Sequence, residues 1–239
     1  MQGRSNKLTD TVELLSNDAS YNQLFLPYRD GEALPSDEEL REIVEVCRSI
    51  LFPGFYGEER ISRQTLRYHT GVHVDKLHIL LTRQIYAALC FSDKAYADCT
   101  EEEISLKAGE LSEAFITTLP NLRYYLMTDV ETAFANDPAA GSPGEEIFLN
   151  PAIRAITNYR IAHQLYLLGI PFIPRMITET AHSETGIDIH PAASIGYYFT
   201  IRHGTGRIIG ETSVIGDHIT LVGAGMYSLL TIEDEGASI

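Results

Sequence analysis

Residues 186–220, GIDIHPAASIGYYFTIRHGTGRIIGETSVIGDHIT, decide the fold of the carboxyl-terminal part of this chain. Aliphatic or β-branched side chains return every six residues there, and the series resumes after a slip of one residue. Its members are Ile189, Ile195 and Ile201, and then Ile208, Val214 and Thr220. Six-residue repeats are typical of a parallel β-helix, in which each short strand adds one aliphatic side chain to a central core. Chance spacing in an alternating β-segment is the alternative interpretation.

The repeats cover only a short part of the chain. A β-helix coil uses three repeats, so the stretch from Ile189 to about Thr220 provides fewer than two coils of about 18 residues. The following residues show no clear six-residue pattern. We therefore expect an α+β chain made of an α-helical N-terminal domain at 1–185, β-helix coils at 186–220 and a divergent tail at 221–239. The tail favours a β-helix that is cut short.

From Leu34 to about Ser183 the apolar residues recur at helical spacing. Ser36 with Glu39, and Thr100 with Glu103, have the spacing of a capping box, in which the two residues bond each other at the start of a helix. These pairs predict where two amphipathic helices begin.

Prolines predict where those two helices end. We expect Pro53 to stop the first helix and Pro120 to stop the second, because a proline lacks the N–H that an α-helix needs. Further helices are predicted at 72–91 and 121–135, and another begins after Asn150-Pro151.

Composition and charge limit the function. The chain has 239 residues, is 44% hydrophobic and carries a formal net charge of -15, so nucleic acid and anionic membranes are poor partners. Its first residues lack the apolar core of a signal peptide. Three cysteines are too few for a disulfide framework and lack metal-ligand spacing. We expect a cytoplasmic protein with reduced cysteines, of which Cys47 and Cys90 are buried.

Two polar residues in the repeats have the chemistry of a general base. Asp188 and His203 are 15 residues apart, which puts them on nearby turns of a β-helix with coils of about 18 residues. A carboxylate beside an imidazole fixes its tautomer and stabilises the imidazolium that forms when histidine takes a proton from a hydroxyl. Both residues also suit solvated turns, and their spacing alone leaves the two interpretations open.

The ordered motifs resemble the serine O-acetyltransferases of cysteine biosynthesis, within the superfamily of hexapeptide-repeat acyltransferases. The similarity covers roughly residues 70–220 and is closest from residue 136 onward. It rests on the runs HSETGIDIHPAASIG at 182–196, HGTG at 203–206 and IGETSVIGD at 209–217, together with YRIAH at 159–163 and the Asn136-Asp137-Pro138 loop.

The resemblance implies a fold, a reaction and roles for particular residues. It implies a left-handed β-helix and a transferase that moves acetyl from acetyl-CoA to the hydroxyl of L-serine without an acyl-enzyme. His203 would be the base and Asp188 the carboxylate that orients it. Asp137 would contact the serine amino group, and Glu211 would lie near the same site. His163 and His190 are assigned to structure.

The chain departs from the family pattern in three ways. The family carries Asp directly before the catalytic histidine, whereas this chain has Arg202, whose charge would repel the substrate ammonium. Arg207 stands at a position that is usually aliphatic. After Leu221 the family continues through further coils, which hold a second histidine and the acetyl-CoA groove, so the residues that bind this co-substrate are unknown here. A catalytically inactive remnant or scaffold subunit, and an acetyltransferase with another acceptor, are therefore alternatives.

The resemblance also implies partners. We expect a homotrimer or a hexamer, feedback inhibition by cysteine in the serine site, and neither a metal ion nor a bound cofactor. The C-terminal residue, Ile239, follows acidic residues, as in family members whose terminal isoleucine inserts into O-acetylserine sulfhydrylase. Binding to that enzyme is a further hypothesis.

Overall fold

The computed structural model describes residues 2–21, 34–57, 61–92, 96, 98–223, 226–227 and 231–232. Helices occupy the chain up to residue 185, and short strands follow from residue 187. The helices are α1 (Gln2–Leu15), α2 (Asp18–Tyr21), α3 (Asp37–Leu51), α4 (Leu66–Ser92), α5 (Glu101–Asn136), α6 (Pro143–Leu149), α7 (Pro151–Leu167) and α8 (Ile173–Thr185). The strands are β1 (Ile187–Ile189), β2 (Ser194–Ile195), β3 (Thr200–Arg202), β4 (Arg207–Ile209), β5 (Val214–Ile215), β6 (Thr220–Val222), β7 (Met226–Tyr227) and β8 (Thr231–Ile232).

The two predicted helix starts differ in how they are capped. At α5 the capping box is complete: Thr100 Oγ1 accepts the Glu103 N–H at 3.2 Å, and Glu103 Oε2 accepts the Thr100 N–H at 2.8 Å. At α3, Ser36 Oγ accepts the Glu39 N–H, but the Ser36 N–H donates to Gln84 Oε1 at 2.7 Å instead. Ser36 is therefore a confirmed N-cap, while the predicted reciprocal box is wrong there because α4 supplies the second partner.

The predicted helix ends were right for Pro53 and wrong for Pro120. Helix α3 ends at Leu51, but α5 continues through Pro120 to Asn136. A proline inside a helix costs about 3 kcal/mol. Buried residues on both sides of Pro120 keep one helical period, namely Phe115, Leu119, Leu122 and Leu126. Burying this continuous apolar stripe offsets the lost hydrogen bond, so the two helices predicted at 100–119 and 121–135 are one.

The strands form three parallel sheets with the order β1-β4-β7, β2-β5-β8 and β3-β6. Each strand pairs with the strand one coil later, as Ile195 does with Ile215 and Ile201 with Leu221, so one coil uses 20 residues. This arrangement is that of a parallel β-helix. The coil is therefore two residues longer than expected, and its left-handed sense stays a prediction.

The slip between the two rows of repeats lies elsewhere than predicted. In the second coil Ile209, Ile215 and Leu221 are buried, whereas Ile208 and Val214 are 36% and 47% exposed. The reason is the corner after β3, because eight residues separate the buried Ile201 from Ile209 where the other corners use six. Arg207 also points inward in this longer segment: it is 1% exposed and its Nη2 donates to the Val222 carbonyl at 2.6 Å.

The tail, in which no repeat was recognisable, adds two strands. Strand β7 extends the sheet of β4, with Met226 opposite Ile208, and β8 extends the sheet of β5, with Ile232 opposite Ile215. A third coil therefore begins after Val222. Its sequence hides the pattern because these strands are only two residues long.

A buried ion pair joins the helices to the first coil. Arg160 of α7 donates two hydrogen bonds of 2.9 Å to Asp129 of α5, and its other contacts reach the carbonyls of Ile195 and Gly196 at 2.7 and 2.6 Å. Asp129 Oδ1 also accepts the Phe199 N–H at 3.0 Å. Burial raises the pKa of Asp129, whereas the Asp129 charge, opposing burial, raises the pKa of Arg160. The bidentate geometry and the Phe199 bond favour the ionised pair.

The remaining predictions concern cysteines and membranes. All three cysteines are free, and Cys47 and Cys90 are buried as expected. Burial raises the pKa of Cys47 to about 12, so this thiol is unreactive at neutral pH. Among the helices in the described part of the chain, none has the length and apolarity needed to cross a bilayer.

Candidate active site

A cavity of about 430 Å³ lies where the carboxyl end of α5 meets the corner after β3, with α6 and the start of α7 closing it. Its size falls within the range of roughly 300–1,000 Å³ that is usual for small-molecule sites. The polar residues lining it are Asp137, Glu145, Glu146, Asn150, Thr185, Thr200, Arg202, His203 and Thr205. Three of the five predicted site residues therefore border one cavity.

Asp137 is held at the carboxyl end of α5. It is the C-cap residue, and its N–H donates to the Phe134 carbonyl at 3.3 Å. Its Oδ1 accepts the Ala139 N–H at 2.9 Å, so the side chain folds over the turn that follows the helix. Among the described residues, the hydrogen bonds of this carboxylate engage Oδ1 alone. The second oxygen, Oδ2, can therefore accept a bond from a ligand.

Arg202 and His203 stand at the corner opposite Asp137. The parallel pairing of β3 with β6 fixes their backbone, and the Arg202 carbonyl accepts the Gly223 N–H at 2.8 Å. His203 has a left-handed backbone with φ of 52°, which turns the chain out of the strand. Both side chains are exposed and border the cavity. The corner thus combines a fixed main chain with accessible side chains.

Glycines make this corner possible. A Cβ on Gly204 would lie 2.6 Å from Ile201 Cγ2 and 2.9 Å from Ile187 Cδ1, so only glycine fits beneath the corner. Gly206 has φ of 80°, and its N–H donates to the Gly186 carbonyl at 2.7 Å. These contacts anchor the corner to the start of β1.

Sequence reasoning missed two carboxylates that border the cavity. Glu145 Oε2 accepts the Gly141 N–H at 2.8 Å and thereby closes the turn before α6. Glu146 is only 3% exposed and accepts a 2.6 Å hydrogen bond from Asn150 Nδ2. The available signal was the spacing of Ser142 and Glu145, since Ser142 Oγ caps the Glu145 N–H. That spacing predicts a helix start, but it does not reveal that Glu146 is buried.

Comparison with known proteins identifies the family. No protein-family profile matches the chain. Serine acetyltransferase 1 of Entamoeba histolytica, solved in complex with L-cysteine, superimposes with a TM-score of 0.64 and 31% identity, over 96% of this chain and 75% of that one. Its native structure gives 0.62 and 30%, over 89% and 70%. The chain belongs to the serine acetyltransferase family. The helical N-terminal part and the coils of short strands agree with that membership.

Curated serine acetyltransferases agree in sequence. A plasmid serine acetyltransferase of Synechococcus elongatus is 45% identical over 190 residues, which is 79% of this chain and 60% of that protein. A serine acetyltransferase of Synechocystis is 42% identical over 109 residues, which is 43% of this chain and 44% of that protein. The chain therefore spans about half the length of these two curated relatives.

Asp188, the proposed partner of His203, lies in different surroundings. It projects from the outer face of β1, is partly buried, and its Oδ1 lies 3.6 Å from Arg175 Nη1 of α8. In the described part of this serine acetyltransferase, no hydrogen bond or ion pair joins Asp188 to His203. Ligand atoms of Glu179, His182 and Asp188 all lie within 4.8 Å of one another, but the guanidinium of Arg175 occupies the same cluster.

Glu211 lies with Asp188 and not with the cavity. It is exposed at the corner after β4. Burial and the charge of Arg175 lower the pKa of His190, while the nearby carboxylates of Glu211 and Asp188 raise it. The predicted site residues of this family member are thus divided. Asp137, Arg202 and His203 share the cavity, whereas Asp188 and Glu211 share the outer face beside His190.

His163 and His190 have the structural contacts expected of them. His163 Nδ1 lies 2.7 Å from the Pro191 carbonyl, which it bonds when that nitrogen carries the proton, and His190 Nδ1 accepts the Ala192 N–H at 3.2 Å. Burial lowers the pKa of His163. Both imidazoles therefore hold the turn between β1 and β2 against α7 in the neutral form.

Proposed function

We propose that this chain is a serine O-acetyltransferase, an acyltransferase that moves the acetyl group of acetyl-CoA to the hydroxyl of L-serine and gives O-acetylserine for cysteine biosynthesis. One observation carries the proposal: His203 and Asp137 border the same 430 Å³ cavity in a member of the serine acetyltransferase family. The acetyl-CoA groups and the residues that bind them are not assigned.

The reaction proposed for this cavity is a direct transfer. His203 removes the proton from the serine hydroxyl while that oxygen attacks the thioester carbonyl carbon of acetyl-CoA. The C–O bond forms, the C–S bond breaks, and the proton leaves with the CoA thiol. Asp137 holds the substrate ammonium through its free oxygen, Oδ2, and so places the hydroxyl beside His203.

The roles of Asp188 and Glu211 remain part of the proposal. Asp188 would orient His203 only if its carboxylate left Arg175, because the two are 3.6 Å apart here. An Asp188→Asn variant tests this role. Loss of turnover together with a changed pH profile would support it, and unchanged turnover would remove Asp188 and leave His203 as the base without a carboxylate partner.

The deciding experiment measures release of the CoA thiol from acetyl-CoA, with and without L-serine, after subtraction of the signal from the three cysteines. We expect serine-dependent turnover that His203→Ala lowers by about 10²–10⁴-fold, the usual contribution of a general base. His218→Ala is a matched control: His218 is also exposed, has φ of 59° and stands at a corner of the second coil, outside the cavity. This variant should keep full activity.

Two results would favour the alternatives. Absence of any serine-dependent thiol release would favour a non-catalytic assembly subunit, in agreement with Arg202 at the position where the family has Asp. Faster release with another hydroxyl or amine than with L-serine would favour an acetyltransferase for a different acceptor.

We also propose that L-cysteine inhibits by occupying the serine site. Serine acetyltransferase 1 of Entamoeba histolytica was solved with L-cysteine, and cysteine differs from serine only in sulfur replacing the hydroxyl oxygen. Inhibition that L-serine overcomes at high concentration would support a shared site.

Assembly completes the proposal. We propose coils of left-handed sense, a domain boundary near residue 185, and a homotrimer or hexamer, which light scattering with size-exclusion chromatography would measure. Ile239 lies outside the described residues, and its docking into O-acetylserine sulfhydrylase stays a prediction. Titration of a peptide of the last ten residues against that enzyme would test it, and absence of binding would remove it.

A further inference from the structure

Arg202 has a fixed backbone and a free side chain. It is the last residue of β3, pairs with Val222 in the parallel ladder, and its carbonyl accepts the Gly223 N–H. Its side chain is exposed and lines the cavity. Within the described ranges of the chain, its guanidinium takes part in no hydrogen bond or ion pair. A guanidinium has five N–H donors, so this one offers its whole donor set to a ligand.

The charges around Arg202 are unevenly engaged. Three carboxylates border the cavity, but Glu145 closes a turn through the Gly141 N–H and Glu146 accepts from Asn150. Asp137 keeps one oxygen free, as described above. Of the described residues that line the cavity, Arg202 is the one with a permanent positive charge. The cavity thus presents one available anion and one available cation.

We propose that Arg202 binds the α-carboxylate of the acceptor amino acid while Asp137 binds its ammonium, so that this pair selects a zwitterion and directs its hydroxyl toward His203. This inference rests on the proposed function. It gives Arg202 the opposite effect from the simple repulsion expected when a guanidinium replaces the Asp of the family.

The chemistry of arginine supports this assignment. Guanidinium and carboxylate can form two parallel N–H···O bonds, which fix the orientation of a small ligand as well as its position. Because Arg202 directly precedes His203, a three-carbon acceptor held by the guanidinium stays close to the imidazole. Repulsion of the ammonium by Arg202 then favours a single orientation, with the amino group on the Asp137 side.

The test is calorimetric titration of the full chain with L-serine and with L-serinamide, in which a neutral amide replaces the carboxylate. We expect L-serine to bind about 10- to 100-fold more tightly, the effect of one charge-assisted interaction with a carboxylate. Arg202→Gln should abolish this preference, and Arg202→Lys should keep part of it because the charge remains without the planar fork. Arg67→Gln is the matched control, since Arg67 is exposed on α4 and does not line the cavity.

Several results would overturn the inference. If Arg202→Gln keeps the preference for L-serine, or if Arg202→Asp binds L-serine more tightly, Arg202 is not the carboxylate partner, although the proposed function still stands. If Arg202→Gln weakens acetyl-CoA and leaves L-serine unchanged, the guanidinium binds a phosphate of the acetyl donor. If the unchanged chain binds L-serinamide as tightly as L-serine, the carboxylate is not recognised. If it binds neither, the proposed function fails with the inference.

Discussion

Two corners of the first β-coil begin alike and end in opposite states. The corner at Tyr198 and the corner at His203 each carry a non-glycine residue with a left-handed backbone, at φ of 56° and 52°. Helices close the first corner: Thr128 Oγ1 accepts the Tyr198 N–H at 3.1 Å, and Asp129 accepts the next N–H. The second corner is anchored by its own glycines and borders a cavity.

The difference shows how one repeat can serve two purposes. At the closed corner, side chains from α5 and α7 use up the polar groups of the main chain, and the result is attachment of the coil to the helices. At the open corner the coil satisfies its own main chain, so the side chains of Arg202 and His203 remain available. Chemistry requires groups that are both fixed and unoccupied, and only the second corner provides them.

The largest expected effect is loss of the closed corner. Asp129→Ala would leave Arg160 charged and unpaired at 4% exposure, which should lower the free energy of unfolding by about 3–5 kcal/mol. Urea unfolding followed by circular dichroism measures it. The double variant Asp129→Ala/Arg160→Leu should recover much of the loss, because no buried charge remains. A double variant as unstable as the single one would contradict the role given to the unpaired charge.

An intermediate effect is expected beneath the open corner. Gly204→Ala places a Cβ within 3 Å of Ile201 and Ile187, so we expect a loss of about 1–3 kcal/mol from overpacking. The displaced corner should also reduce serine-dependent turnover. Gly223→Ala is not an equivalent change because its φ of 78° adds strain, so Gly109→Ala, at an open helical position, is the better control. Wild-type stability in Gly204→Ala would mean that the corner is loosely packed.

The smallest effect should have the opposite sign. His203→Gly removes the proposed base and also relieves a left-handed backbone, which costs a non-glycine residue on the order of 1 kcal/mol. Glycine already occupies the equivalent position of the next coil, at Gly223. We expect turnover to fall while the free energy of unfolding is unchanged or rises by up to about 1 kcal/mol. A clear loss of stability would show that His203 also has a structural role.

Periodicity in the sequence predicted much of the fold because both of its periods reflect burial on one face. The helical period located the helices, and the Thr100 cap was correct because both partners lie within one turn. Pro120 was misjudged because its outcome depends on packing against other helices. The phase of the second coil was misjudged because Ile208 and Ile209 are adjacent, and only the pairing with Ile189 decides that Ile209 points inward.

The candidate site was predictable only in part. Asp137 and His203 are 66 residues apart in the sequence, and resemblance to the family was what linked them before the cavity was described. Spacing suggested that Asp188 would lie beside His203, yet Arg175 comes from a helix that the spacing does not include. Glu146 was missed since burial of a charged residue depends on its neighbours in space. Local chemistry was readable in these cases, but contacts between distant segments were not.

The uninterrupted α5 has a consequence for accuracy at the cavity. Its 36 residues form a rod of about 54 Å, with the Thr100 cap at one end and Asp137 directly after the other. A tilt of one degree about the Thr100 end would move Asp137 by about 1 Å. A displacement of that size is enough to impair a reaction that depends on positioning. The helix acts as a lever arm, so packing far from the cavity sets where the substrate amino group is held.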